Sequence, residues 1–310
     1  MKELAILIPT IKWAFLVKEY RNYNYEKDDI SIQWMMNIKD QVFGTVFSGG
    51  QKPDRIYFGN EFCERLLWTS GQVRKMVGLC AEENMKLSLV TPYCSDRALD
   101  HISTVLRECA DLEIIDEIIV NDWGMLYRLK EQFPNYRRVL GRVLDKMKRD
   151  PRLSRKEFHS HFSADGLRML QSPTASAAEF RAFMTEQGVE HFEIDNVIQG
   201  LYLEDVTDKH ISVYLPYGFV TNGKICQFAG IHNVPSEKFQ VGTPCRKECQ
   251  SLMQFMHKHL SALPSDKDDR LDQVRVIRKG NTVFFMNEDI SQCMKDAHID
   301  RIIYEPVVPM

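Results

Sequence analysis

The residues most able to do chemistry in this chain lie between Tyr214 and Cys249, YLPYGFVTNGKICQFAGIHNVPSEKFQVGTPCRKEC, where three of the eight cysteines fall: Cys226, Cys245 and Cys249. Thr243 and Pro244 read as an N-cap and a first helical residue, which predicts a helix carrying Cys245 and Cys249 at i and i+4 on one face. The partial positive charge of a helix N-terminus favours thiolate over thiol. Three converging thiolates are one short of a tetrahedral metal site or an iron–sulfur cluster. The bland alternative is a chance C-x3-C in a cysteine-containing chain, so the rest of the sequence must supply a fourth ligand and a means of bringing it there.

The elements that position these residues are short β-type runs ending in a breaker or a polar residue: AILIP, RIYFG, LSLVTP, EIIVND, RRVLG, HFEID, ISVYLP and RIIYEP. Continuous apolar strands without strict alternation suit a parallel sheet covered on both faces. Helical stripes lie between several of them. Ser70 caps one with Val73, Met76, Val77 and Cys80 inward, Asp96 caps another with Leu99, Ile102, Leu106 and Cys109, and Phe180, Phe183 and Met184 mark a third. Eight such strands with intervening helices predict an α/β fold, a single (β/α)8 TIM-barrel-like domain over 1–310 with insertions, a doubly wound open sheet being the rival. An extra hairpin is expected near 273–286, turning at Lys279-Gly280-Asn281.

Functional groups of such barrels emerge just past the C-terminal strand ends. Cys63 follows RIYFG by four residues, while Cys226, Cys245 and Cys249 follow ISVYLP, so one rim can gather all four. Cys94, two residues past Pro92, is the rival fourth ligand. Cys80, Cys109 and Cys293 have apolar helical neighbours and read as core.

Composition narrows the setting. A chain of 310 residues that is 44% hydrophobic and 27% charged, with net charge −3, is that of an ordinary soluble protein without a global attraction to nucleic acid or membrane. The apolar N-terminal run is broken by Pro9 and Lys12 and is too short to span a bilayer, and no secretory signal is evident. Reduced thiols and a cytoplasmic location are the expectation.

IYFGNEFC (56–63), VNDWG (120–124), FEID (192–195) and YLPYGFVTNGKIC followed by C-x3-C occur in the order found in the collagenase-like peptidase family U-32, and over about 50–250 the chain resembles the short branch of that family that supports oxygen-independent ubiquinone hydroxylation. The resemblance implies a 4Fe-4S cluster on Cys63, Cys226, Cys245 and Cys249, zinc being the alternative occupant. It also implies hydroxylation or a related redox modification of a small aromatic or quinone precursor or an RNA base, with prephenate as oxygen source. Two other roles travel with it: a non-catalytic cluster-binding subunit paired with a paralogue as a heterodimer, and a peptidase. The sequence departs from the pattern in the longer Cys226–Cys245 interval and over Thr10–Gln51. It carries no G-x-S-x-G or H-E-x-x-H motif to support peptidase chemistry.

Other groups end strands on the same rim. Asp122 and Asp195, with Asn121 and Glu193 behind them, are candidates for acid–base or substrate-positioning work, against the plainer roles of helix cap and structural hydrogen bond. Glu305 and Tyr217 are weaker candidates of the same kind. Residues 128–156 hold eleven Lys or Arg against three Asp or Glu. Arg142, Lys146 and Arg149 at i, i+4 and i+7 predict one basic helical face, able to meet RNA, a small carboxylate-bearing substrate or an acidic partner, or simply to be solvated. Arg142, one residue past a strand, is expected to clamp a carboxylate bidentately. His159 and His161 form an isolated H-x-H of the kind more often found on a surface.

Overall fold

A computed structural model describes residues 2–21, 30–150, 153, 160–256 and 276–310. Strands β1 (Glu3–Ile8), β2 (Arg55–Gly59), β3 (Lys86–Val90), β4 (Ile115–Val120), β5 (Arg137–Leu140), β6 (Val189–Asp195) and β7 (His210–Leu215) pair in parallel. A last strand, β12 (Ile299–Tyr304), closes them into an eight-stranded barrel. Each of the eight β-type runs seen in the sequence is one of these strands. The barrel settles the choice against an open sheet.

Helices Ser70–Glu82 and Asp96–Glu108 bury the stripes expected of them, Val73, Met76 and Cys80 in one and Leu99, Ile102 and Leu106 in the other. Their N-caps lie one residue earlier than expected, at Thr69 and Ser95, whose side chains accept from the N–H groups of Gln72 and Ala98. In helix Ala178–Glu186 only Met184 is fully buried, and Phe183 is exposed. Cys80, Cys109 and Cys293 are buried, as expected.

The hairpin is present as β10 (Val276–Lys279) and β11 (Thr282–Met286), and it belongs to a larger unit. β8 (Tyr217–Asn222) and β9 (Gln254–Met256) flank it in a four-stranded antiparallel sheet of order β8-β11-β10-β9. This sheet begins two residues after β7 ends, so it stands at the C-terminal mouth of the barrel. The long connection from β8 to β9 carries Cys226, Cys245 and Cys249.

Strand alternation predicts what fills the barrel. One apolar cluster, separate from the main core, contains Ala5, Leu7, Tyr57, Val90, Ile119, Val139, Tyr214 and Ile303. Beneath it, towards the N-terminal strand ends, lies a charged floor. Arg301 donates to both oxygens of Glu117 (2.9 and 3.0 Å) and to Glu3 (2.7 Å), while Arg55 donates to Glu3 (2.8 Å) and to Ser88 (3.0 Å). The Ser88 hydroxyl in turn donates a hydrogen bond to Glu117 at 2.8 Å. The two guanidiniums hold the Glu117 carboxyl down to about 2 against the burial that would raise it.

Removing the shared carboxylate takes two acceptors from buried Arg301 and leaves it Glu3 and the Tyr57 hydroxyl, while Arg55 keeps Glu3 and Asp116. Glu117→Ala is expected to cost about 3–5 kcal/mol of stability, read as a lowered urea midpoint with an unchanged slope. A loss below about 1 kcal/mol, the worth of a surface pair, would mean that the floor does not hold the barrel.

Candidate metal centre at the barrel mouth

Gly59 ends β2 with φ +125°, and a Cβ there would lie 2.3 Å from the Val90 carbonyl oxygen. The chain then turns on Asn60, whose buried side-chain oxygen accepts from the N–H groups of Phe62 (3.1 Å) and Cys63 (2.8 Å). Phe62 packs edge-on against Phe219 of β8 and Phe284 of β11. Asn281, in the hairpin turn, donates to the Phe62 carbonyl (2.8 Å) and the Gly223 carbonyl (2.6 Å). The β2 loop and the second sheet are thereby locked together.

Between them lies a cavity of about 130 Å³ whose lining includes Cys63, Cys226, Cys245 and Cys249 together with Tyr93, Lys224 and Met310. All four are free thiols. Two of them meet a hydrogen-bond donor, Cys245 the Lys247 N–H at 3.3 Å and Cys249 the Gln250 amide at 4.0 Å, and the Cys245 thiol itself donates to Glu248 at 3.8 Å. Burial pushes the Cys63 thiol up to about 12, and mutual repulsion with the other three adds to it. Burial raises Cys226 and Cys249 as well. A cation binding there must therefore displace protons. Buried Lys279 faces Cys249, donates to the Val308 carbonyl (3.1 Å), and is pushed down to about 8 by burial.

The donor set bears on what fits. Four tetrahedral Zn–S bonds need sulfurs about 3.8 Å apart. Among the described residues, no three His, Cys, Asp or Glu side chains are grouped to hold a single metal ion. The four thiols line one cavity, and zinc and an iron–sulfur cluster are the occupants that take four thiolates. Cys94 is absent from the lining; its thiol donates to the Pro92 carbonyl at 3.0 Å.

The expected helix at Thr243-Pro244 is not formed. Residues 243–247 are irregular, Lys247 adopts φ +61°, and only a 3-10 turn follows at Glu248–Gln250. The Thr243 hydroxyl donates backwards to the Gln240 carbonyl (2.8 Å), and the Glu248 side chain accepts from the Arg246 N–H (3.1 Å). Donors local to Cys245 and Cys249 thus replace the helix dipole.

The acidic and basic candidates meet one layer deeper. Arg142 is wholly buried and donates from Nε to Glu61 (2.6 Å), from Nη1 to Asp195 (2.9 Å) and the Tyr217 carbonyl (2.8 Å), and from Nη2 to Glu61 (3.0 Å) and Glu305 (2.7 Å). That uses all five of its N–H groups, and the expected clamp on a substrate carboxylate has no donor left. Its guanidinium lies 3.7 Å above the Tyr214 ring. Arg149 donates to the other Asp195 oxygen and, from Nη2, to the carbonyls of Arg142 (2.7 Å) and Asp145 (3.0 Å).

The predicted basic helix is likewise not formed. Residues 141–149 run through turns, two of its three cations are inside the protein, and Lys146 bonds the Val143 carbonyl. Asp122 caps helix Trp123–Gln132 through the Met125 N–H (3.1 Å) and also accepts from the Cys94 N–H. Asn121 bridges the Thr91 carbonyl and the Val143 N–H, against a Gly141 whose Cβ would lie 2.2 Å from it. Glu193 sits in the apolar layer, held by the Tyr214 hydroxyl at 2.6 Å. Glu61 was not singled out in the sequence, although it stands two residues before Cys63. His159 lies outside the described residues.

No family model matches the chain, and no curated protein does. Among solved structures, the U32 peptidase Mk0906 aligns over 98% of this chain and 92% of its own at 9% identity, with a TM-score of 0.41. The group IV chitinase of Ostrinia furnacalis aligns over 98% and 91% at 10% identity, with a TM-score of 0.36. Both are similarities of chain path at low identity, and the account of the site rests on its residues.

Burial pushes the carboxyl of Glu193 up to about 8 and that of Asp145 up to about 7. These groups carry their protons more tightly folded than unfolded, so their stabilisation is full below the ordinary carboxylate range and is lost as pH rises towards 8. His191 is held well below its ordinary value, and its opposing effect ends near pH 6.5. Unfolding free energy is expected to fall between pH 6.5 and 8, by on the order of 1 kcal/mol per group, and Glu193→Gln to flatten the fall. A stability that rises across that window contradicts buried, proton-holding carboxyls.

Proposed function

We propose that this chain is an iron–sulfur protein in which Cys63, Cys226, Cys245 and Cys249 hold a 4Fe-4S cluster at the mouth of the barrel. The observation that carries the reading is the meeting of Cys63, from the β2 loop, with three cysteines of the β8–β9 connection around one cavity. When bound, such a cluster supplies one-electron transfer. The chain's own residues do the rest. Asn60 fixes Cys63, Asn281 ties the two ligand-bearing loops, and Lys279 offsets negative charge beside Cys249. The Arg142 layer forms a rigid floor of satisfied groups beneath Phe62.

The chemistry we infer is oxygen-independent hydroxylation or a related redox modification of a small aromatic or quinone precursor or an RNA base. A second reading, a non-catalytic cluster-holding subunit that works beside a paralogue, is favoured by one feature. Arg142, Asp195 and Asp122 are committed to internal bonds, leaving them no hand free for a substrate.

Protein isolated without oxygen is expected to be brown, with about four irons and four sulfides per chain. Alanine at Cys63, Cys226, Cys245 or Cys249 is expected to remove the colour, and Cys94→Ala to leave it. Colourless protein with one zinc overturns the reading. Bleaching by Cys94→Ala but not by Cys63→Ala means that the fourth ligand is misassigned. Turnover by the isolated chain, against turnover only with a paralogue, separates enzyme from subunit.

A further inference from the structure

The loop that brings three cysteines to the cavity carries an unusual surface. Ile225, Ile231, Val234, Phe239, Val241 and Leu252 are all exposed, Phe239 at 59% and Val241 at 70%. They belong to one connection stitched by local turns: the Ile231 N–H donates to the Phe228 carbonyl, that of Glu237 to Val234, and that of Thr243 to Gln240. Val241 itself lines the cysteine cavity. Single exposed apolar residues need no explanation, but six on one connection, Gly223–Met253, are a concentration that points to a contact surface.

Its charge is one-sided. Residues 223–252 hold Lys224, Lys238, Arg246 and Lys247 against Glu237 and Glu248. Glu248 is turned in, its side chain 7% exposed. Arg65 adds an exposed cation at the cavity edge, while Glu64 is engaged by Lys224 (3.2 Å) and the Ser95 N–H (2.7 Å). A local positive field on a chain of net charge −3 steers acidic partners.

We propose that this face docks an acidic one-electron carrier protein, with Phe239 and Val241 as apolar anchors and Lys238, Arg246, Lys247 and Arg65 as the charged rim. The inference rests on the cluster reading. A centre that changes by one electron at a time needs a donor of single electrons: the carrier loses one, this chain gains one, and no bond is made or broken. Direct docking over the cavity brings the two centres close, and an apolar core within a basic rim is the anatomy of a transient protein interface.

The test uses anaerobically purified full-length protein and an acidic [2Fe-2S] ferredoxin as probe, with binding followed by sedimentation and iron and sulfide measured on the same samples. Binding is expected to weaken about tenfold between ~20 mM and ~0.3 M salt, and about tenfold in Lys238→Glu/Phe239→Ser, neither of whose residues lines the cysteine cavity. Iron content should be unchanged in that variant, and a double charge reversal at Arg65 and Arg246 should repeat the effect. Brown protein that fails to bind, or binds without regard to salt and to both variants, overturns the proposal. So does self-association of the chain that the Phe239 variant abolishes, because the face is then an interface between copies. Colourless protein is the separate failure of the cluster reading.

Discussion

A single guanidinium sets the upper half of this molecule. Arg142 has five N–H groups and five internal acceptors, drawn from the β2 loop, the end of β6, the start of β8 and the segment after β12. Ion pairs sealed from water are held only when geometry and hydrogen bonding are nearly complete, since the desolvation of each ion must be offset. Here that completeness ties the ends of three barrel strands to the second sheet. The peptide Glu61-Phe62-Cys63 then reads as one device: Glu61 is clamped below by Arg142, Phe62 is packed between β8 and β11, and Cys63 is presented above to the other three cysteines.

This arrangement separates the barrel into layers with different tasks. The floor of Arg301, Arg55, Glu117 and Glu3 closes the N-terminal end with satisfied charge. The middle is aromatic and aliphatic, with Glu193 its one carboxyl held by Tyr214. The top layer is again charged, and the cysteine cavity lies above it. The cysteine cavity is thereby separated from the barrel interior by a layer in which every Arg142 N–H is bonded. Arg142 and Asp195, both singled out at the strand ends, lie in this layer beneath the cysteines.

The eight strands and the hairpin were legible because each is a local signal, an apolar run closed by Gly, Pro, Asn or Asp. The grouping of the cysteines was legible for a related reason: once the strands are placed, their C-terminal ends share a rim. What was not legible is contact between distant positions. Arg142 and Arg149 fit a helical spacing, but their partners Glu61, Asp195 and Glu305 lie 81, 53 and 163 residues from Arg142, and those carboxylates draw both cations inside. The helix expected from Thr243-Pro244 failed for a local reason that spacing does not reveal. Lys247 turns left-handed and Glu248 folds back on the Arg246 N–H. Glu61 was overlooked because it falls in a loop between a strand and a cysteine, without a periodic pattern to mark it.

The central claim is that one metal–sulfur body sits among Cys63, Cys226, Cys245 and Cys249. Its most direct test is an anomalous difference map recorded at the iron edge on crystals grown without oxygen. The account predicts one compact iron peak in the cavity between the hairpin turn and the β2 loop, within bonding distance of all four sulfurs. Iron beside Cys94, or a cavity in which the four thiols carry no iron after reconstitution, would contradict it.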